Sequence, residues 1–469
     1  MPKKVQPLDI YKFLPQTNCK KCEEANCMAF AAKVVDRTVK LEKCTPLYDA
    51  PYKKQLEQLA TMLAPLVKEI TIGVGERAVT IGGQEVMYRH ELTFFNQTAI
   101  AIDVHDFMPE QELLNRIKQI DNFQVSRIGK TLKLDLVAVR SVSNDPDQFK
   151  GIITKIRNNT KLPMILCSYK PEVLKAGLEA AGDQHPLIYA AIKDTWKEVG
   201  GLALQYGCPV VASAPNDLAT LKSIAHSLRE LGVKDIVLDP GSYFGSGALA
   251  DTVDNFTMLR RAAIEREDPD LAFPIIGIPA SIWLKPESDP IATINNENIF
   301  AAIMIDRFAD IIVLHTLDVW ALLPLVTLRQ AIYTDPRRPV AVKPGLREFG
   351  TVDENVPVFV TANFALTYYT VESDISSANL NCYLMVLDTE GIGVEASVAG
   401  KQWTAEKVAD MIKASDLEKK VNHKKLIIPG LAARLKGDIE DATGWEVIVG
   451  PRDSGDIPRF LEQQKQKGK

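Results

Sequence analysis

Eight short runs of apolar, largely β-branched residues constrain this chain most: 100–104, 134–139, 164–167, 187–192, 210–214, 236–238, 275–278 and 311–314. Their starts lie 23 to 39 residues apart, the length of a strand and its returning helix. Each run is nearly all apolar rather than alternating, the pattern of parallel strands covered on both faces. Helical periodicity fills the gaps at 171–181, at 256–267, and at 217–231 with its stripe of Leu218, Leu221, Ile224, Ala225 and Leu228. Eight such units predict an α/β protein built on a closed (β/α)8 TIM barrel rather than an open sheet. Ahead of them, 71–80 and 84–95 flank Gly82-Gly83 and read as a hairpin that plugs the barrel floor. Barrel chemistry belongs at the carboxyl ends of the strands, which offer Asp106, Arg140, Ser143, Ser168, Asp194, Asn216, Asp239 and His315. Those residue types equally serve turns and helix caps, and His105 and His315 read either as structural histidines or as bases.

A second constraint lies at the head, where Cys19 and Cys22 are two residues apart, Cys27 follows after four more and Cys44 after a further sixteen. Four thiolates at those gaps suit one [4Fe-4S] cluster, the first pair gripping neighbouring irons from one tight turn. A structural zinc site is the alternative, although zinc ribbons usually repeat the two-residue knuckle. Residues 27–35 have helical periodicity, Thr17 or Asn18 stands ready to cap a helix there, and Pro46 ends any helix through Cys44. Cys167, Cys208 and Cys382 stand in apolar runs and read as buried thiols. Seven cysteines in 469 residues, with no signal stretch or membrane span, predict a reducing, cytoplasmic setting.

The length implies two to four domains, and 46% apolar with 25% charged residues is ordinary globular composition. A net charge of -5, with no basic block outside 465–469, argues against nucleic acid as a partner. Pro336 and Pro339 bracket two arginines in an exposed linker, so the chain divides into a cluster head at 1–60, a barrel with its hairpin at 61–335, and a third domain at 336–469. The third domain is predicted as a small Rossmann-like sheet, with strands at 358–361, 383–387, 426–428 and 447–449 and helices at 406–413 and 457–463. The glycine-bearing loops 388–393, 429–430 and 450–451 then gather at one edge, where a flat cofactor could lie. Gly391-Ile-Gly393 runs into Val394 and Glu395, so a dinucleotide fingerprint is weak.

The four-cysteine head, the barrel and the tail segments Thr361-Ala-Asn-Phe-Ala-Leu-Thr-Tyr368, Asp388-Thr-Glu-Gly391, Ala399-Gly-Lys401, Leu426-Ile-Ile-Pro-Gly430 and Ile448-Val-Gly-Pro-Arg452 carry a wider likeness. Over essentially the whole chain they resemble the large subunit of the corrinoid/iron-sulfur proteins, of which the archaeal form is the gamma subunit of the acetyl-CoA decarbonylase/synthase complex. The resemblance implies that the tail binds one corrinoid, a cobamide. Its contacts would be Asn363, Thr367, Thr370, Thr389, Gly391, Gly393, Ala399, Gly400, Lys401, Pro429, Gly430, Leu431, Ala432, Gly450, Pro451 and Arg452. Cys19, Cys22, Cys27 and Cys44 would hold the cluster, and no side chain would be catalytic, because the chemistry sits on corrinoid cobalt. The implied activity is that of a methyltransferase component. Co(I) accepts a methyl group from a tetrahydropterin of the tetrahydromethanopterin type and passes it to the nickel site of acetyl-CoA synthase, in acetyl-CoA synthesis or cleavage. Implied partners are a smaller, delta-type barrel subunit as heterodimer mate, the nickel-containing synthase, the methyl-tetrahydropterin donor system and a low-potential electron donor that restores Co(I) through the cluster.

Methionine-synthase-like corrinoid modules carry Asp-x-His-x-x-Gly; the nearest match, Asp103-Val-His105-Asp-Phe-Met108, lacks the glycine and lies in the barrel. The third domain has only His423, in a lysine-rich segment where a solvent-facing side chain is expected. A base-off, histidine-off corrinoid is therefore expected. The rival reading is an iron-sulfur electron-transfer or reductive-activation protein whose third domain binds a flavin or a partner.

Overall fold

The computed structural model describes residues 5–467. The chain forms two compact units, one of the residues up to Phe123 with 133–333, the other of 124–132 with the residues from Thr334 onward. Among the described residues no helix is long and apolar enough to cross a membrane.

In the head, helices Pro7–Tyr11, Cys27–Val35 and Lys53–Met62 bury Ile10, Phe30, Val34 and Leu59 in one small core with Leu47. The cap of Cys27–Val35 is Asn26, whose side chain accepts from Ala29 N, rather than Thr17 or Asn18. Asn18 instead accepts the Cys27 N–H at 2.9 Å from across the intervening cysteine loop.

Strands β1 (Ile70–Ile72) and β2 (Val79–Ile81) pair antiparallel. The hairpin turns at 73–78 and not at Gly82-Gly83. Gly73 has φ +86, and a Cβ there would lie 2.5 Å from the Pro163 ring. Residues 84–95 form no strand because side chains hold them: Gln84 is buried, donates to Asp310 at 2.6 Å and accepts from Arg260 at 3.0 Å.

Each apolar run then forms a strand: β3 (Ala99–His105) and, beyond a small pair β4 (Gln124–Arg127) and β5 (Lys130–Lys133), β6 (Leu136–Arg140), β7 (Met164–Cys167), β8 (Leu187–Ala191), β9 (Val210–Ser213), β10 (Ile236–Asp239), β11 (Ile276–Gly277) and β12 (Ile311–Leu314). Their order is β10-β9-β8-β7-β6-β3-β12-β11, all parallel, and a bridge from Leu238 to Ile275 leaves the barrel nearly closed. Ile70, Ile72 and Ile81 pack among Ala99, Leu136, Ile165, Val237 and Ile311, so the hairpin does fill the barrel interior. The helix expected at 256–267 spans Ala248–Ile264; its first turns carry Asp251 and Asp254, which blur the apolar period.

In the second unit β13 (Gly345–Phe349), β14 (Val358–Ala362), β15 (Cys382–Leu387), β16 (Lys425–Ile428) and β17 (Glu446–Val449) are ordered β13-β15-β14-β16-β17. The last four are the predicted parallel strands. Antiparallel β13 has no sequence signal, because Gly-Leu-Arg-Glu-Phe is a partly exposed edge rather than an apolar run. With β15 on one side of β14 and β16 on the other, the chain reverses its direction of sheet growth at β14/β16, the crevice where open α/β sheets bind ligands.

Candidate cofactor sites

The loop before Cys27 carries left-handed backbone at Gln16, Asn18, Lys20 and Glu23, a run of turns that folds Cys19 and Cys22 back toward the helix start. Cys44 comes in between two 3-10 turns, Leu41–Lys43 and Thr45–Tyr48. All four cysteines line one small cleft. Cys22, Cys27 and Cys44 are buried and Cys19 is exposed. Burial pushes the Cys44 thiol up, and Cys22, Cys27 and Cys19 press it the same way, so the four sulfurs feel one another. Cys19 is held down by hydrogen bonds from the Lys21 backbone and the Thr17 side chain. Four soft donors around one cleft fit a thiolate-held group, although among the described residues no three or more His, Cys, Asp or Glu side chains stand ready as a metal-ion cage. Cys208 and Cys382 are buried and Cys167 is half-buried, with burial pushing each thiol to about 12.

At the β14/β16 crevice lies a cleft of about 500 Å³. Of the residues singled out in the sequence, Thr367, Thr370, Pro429, Leu431, Gly450, Pro451 and Arg452 line it. So does Thr361, which sequence reasoning did not assign to the site. Thr361 is 1% exposed and, among the described residues, its hydroxyl has no hydrogen-bond partner, an unfavourable state unless a bound group supplies one. That orphaned hydroxyl fits a ligand in the cleft.

Other expected contacts build the loops instead. Asn363 is buried, and its Oδ1 accepts from Thr389 N at 3.0 Å and Gly391 N at 2.9 Å while lying 2.9 Å from the Thr389 hydroxyl. Thr389 is fully buried, and Gly391 at φ +74 leaves no room for a Cβ beside Pro339. Gly430 donates to the Pro451 carbonyl at 2.8 Å, and a Cβ on it would sit 3.0 Å from the Gly450 oxygen, so glycine there serves the approach of two protein loops. Ala432 is buried; Gly393 precedes helix Val394–Ala399; Ala399, Gly400 and Lys401 are exposed at its end. His423 corrects an expectation. It is half-buried at the amino end of β16, its Nε2 lying 3.0 Å from the Val356 carbonyl and its Nδ1 accepting from Lys425 N at 3.2 Å. Both ring nitrogens are occupied by backbone, at the sheet edge opposite the glycine loops.

The barrel-mouth carboxylates are likewise engaged. Asp106 accepts from Val142 N, Ser143 N and the Ser143 hydroxyl; burial pushes its carboxyl up, but these bonds hold it below the usual range. Asp239 is buried and bonded to Tyr189, Ser213 and Gly241, with burial pushing it up.

The family described as CO dehydrogenase/acetyl-CoA synthase delta subunit matches residues 69–461, and a family of Fe-S-type motifs matches 14–46. The chain is 53% identical to acetyl-CoA decarbonylase/synthase complex subunit gamma 2 of Methanosarcina thermophila, over 97% of this chain and 98% of that one. It is 51% identical to the gamma subunit of Methanosarcina acetivorans, with the same coverage, and 48% identical to that of Methanothermobacter thermautotrophicus over 98% of this chain and 99% of that one. With a cysteine-lined head, a near-closed parallel barrel and a switch-point cleft in the tail, this chain belongs to the family of acetyl-CoA decarbonylase/synthase gamma subunits.

Proposed function

We propose that this chain is the corrinoid/iron-sulfur methyl carrier of an acetyl-CoA decarbonylase/synthase system. The observation that carries it is the pairing, in one chain of the gamma family, of a four-cysteine cleft with a 500 Å³ switch-point cleft floored by the unpartnered Thr361 hydroxyl. When bound, the corrinoid supplies a nucleophilic metal centre for a methyl group and a [4Fe-4S] cluster supplies single electrons to keep it reduced. Cys19, Cys22, Cys27 and Cys44 would hold the cluster, three of them within a buried core that limits water. Thr367, Thr370, Pro429, Leu431 and the Gly450–Arg452 segment would line the corrinoid site, with Asn363 keeping loop 388–391 in shape by accepting its amides. His423, tied to backbone at the far edge, is unsuited to ligating the metal, which supports a histidine-off arrangement.

The head 1–60, barrel 61–335 and tail 336–469 would then be cluster, docking and carrier modules. The methyl donor is a tetrahydropterin, the acceptor the nickel-containing synthase, the structural mate a delta-type barrel subunit, and the free thiols suit a cytoplasmic setting. Optical spectroscopy of anaerobically purified protein, with iron and cobalt analysis, tests this: a corrinoid spectrum with cobalt at one per chain is expected alongside cluster iron. Full iron with no cobalt, under growth that supplies corrinoid, would instead favour an electron-transfer protein.

A further inference from the structure

The head, residues 1–60, carries 11 Lys and Arg against 7 Asp and Glu, in a chain that carries 55 against 60 overall. A basic head on an otherwise acidic chain is an asymmetry that points to a partner of opposite sign. Pairing concentrates that charge. In the largely exposed loop 16–26, Glu23 is tied to Lys43 at 3.1 Å and Glu24 to Lys33 at 2.7 Å, so lysines from outside the loop neutralise both of its acids. Lys40 and Glu42, both exposed and two residues apart, offset each other on the turn that leads to Cys44. Lys20 and Lys21 remain. Both are exposed, and among the described residues neither forms an ion pair. Lys20 stands in left-handed backbone at φ +58 and lines the cysteine cleft.

These two lysines directly follow Cys19, which is exposed while Cys22, Cys27 and Cys44 are buried. Of the four thiolates that would hold a cluster, one alone is open to the surface. Electron transfer weakens steeply with separation, so the open thiolate is the shortest way in for an electron from outside. Exposed apolar side chains adjoin two of the other cysteines in sequence: Met28, next to Cys27, is 37% exposed, and Tyr48, four residues past Cys44, is 49% exposed. An open ligand, uncompensated lysines beside it and a little exposed apolar surface suit a brief protein contact of the small class typical of redox encounters.

Resting on the reading of this cleft as the cluster site, we propose that the Cys19 corner, with Lys20 and Lys21, is the docking surface for an acidic, low-potential iron-sulfur electron carrier. One electron leaves the carrier's reduced cluster and enters the oxidised cluster of this chain; no bond is made or broken and no proton moves. The two lysines draw in the carrier's carboxylates and orient it at the open thiolate, an effect that raises the rate of productive encounter more than the affinity. Because this steering acts between exposed charges, salt screens it.

The test compares two reductants on the anaerobic, cluster-loaded protein: a purified acidic ferredoxin kept reduced, and the methyl viologen radical cation. Cluster reduction is followed in stopped flow by loss of its visible absorption. With ferredoxin, the wild-type rate should fall about tenfold between about 0.03 and 0.3 M salt. Lys20→Glu combined with Lys21→Glu should lower the low-salt rate about tenfold or more and flatten that dependence, and Lys20→Arg with Lys21→Arg should restore both. With methyl viologen, itself a cation, the Glu variant should react at least as fast as wild type. A readout free of electron transfer is carbodiimide coupling, which joins carboxylates to amines: peptide mass spectrometry should find ferredoxin linked to Lys20 or Lys21. The wild-type salt dependence and the coupling sites decide the matter even where the Glu variant loads less iron. A ferredoxin rate in that variant within about twofold of wild type, at full iron, overturns the docking surface, as do links confined to other lysines or a wild-type rate indifferent to salt. Equal slowing with methyl viologen and a shifted midpoint potential would assign the lysines to tuning the cluster and also overturn it. Absence of cluster iron from wild type, with no paramagnetic signal on reduction, overturns the cluster reading itself, a distinct result.

Discussion

Thr361 and His423 lie in the same small sheet domain and make opposite demands on their surroundings. The Thr361 hydroxyl is buried without a partner, so Thr361→Val, which keeps the shape, should leave cobalt-free protein as stable or more stable by up to about 1 kcal/mol. The same change should weaken corrinoid retention by about five- to tenfold, the equivalent of one hydrogen bond. Cobalt retained through dialysis at the wild-type level would assign the hydroxyl no ligand role. His423 has its partners already. His423→Ala removes two backbone hydrogen bonds and should cost about 1–2 kcal/mol in urea denaturation while leaving the corrinoid spectrum alone. Electron paramagnetic resonance of the Co(II) state checks the second half: protein-derived nitrogen splitting in wild type that is lost in the variant would make His423 a ligand.

Among elements, the most exacting junction lies between helix Ala248–Ile264 and the segment before β12. Arg260 and Asp310 are 1% and 2% exposed at the side chain, pair at 2.6 Å, and share Gln84, which trails the hairpin; Asp310 also accepts from Ile275 N beside the barrel seam. Arg260→Met keeps the volume and strands the carboxylate, an expected loss of about 3–5 kcal/mol, read as a lower urea midpoint of the barrel transition. A loss below about 1 kcal/mol would mean that water or Gln84 alone satisfies Asp310. The strands were legible because buried parallel strands write themselves as apolar runs, and 164–167 and 311–314 match β7 and β12 residue for residue. Helix 171–181 was legible in the same way, between Pro171 and Gly182. The hairpin turn was misjudged because Gly73, Gly75, Gly82 and Gly83 all carry positive φ, and only packing against Pro163 and Lys68 distinguishes turn from strand end.

At the scale of the whole molecule, head and tail have separate cores, the one around Phe30 and Leu47 and the other around Trp403 and Trp445. Cys22→Ala should therefore abolish cluster iron while most cobalt stays bound, with methyl uptake recovered by chemical reduction but not by protein electron donors; joint loss of iron and cobalt would refute modular cofactor sites. By itself the sequence determined what depends on neighbours along the chain: the eight strands and their helices, the cysteine gaps, and the glycine-bearing strand ends of the tail. These follow from the periods of strand and helix and from the reach of a short loop. Only the tertiary structure decided which polar groups face a ligand and which face protein. Asn363 and Gly430 have the residue types of a binding loop, yet their partners are Thr389, Gly391 and Pro451. Asp103 and His315 meet across 212 residues of chain, and the Thr361 hydroxyl is orphaned because the packing around it brings no hydrogen-bonding group of the described residues within reach. Hydrogen-bond satisfaction is settled by what packing brings together across the fold, and local periodicity carries no record of that.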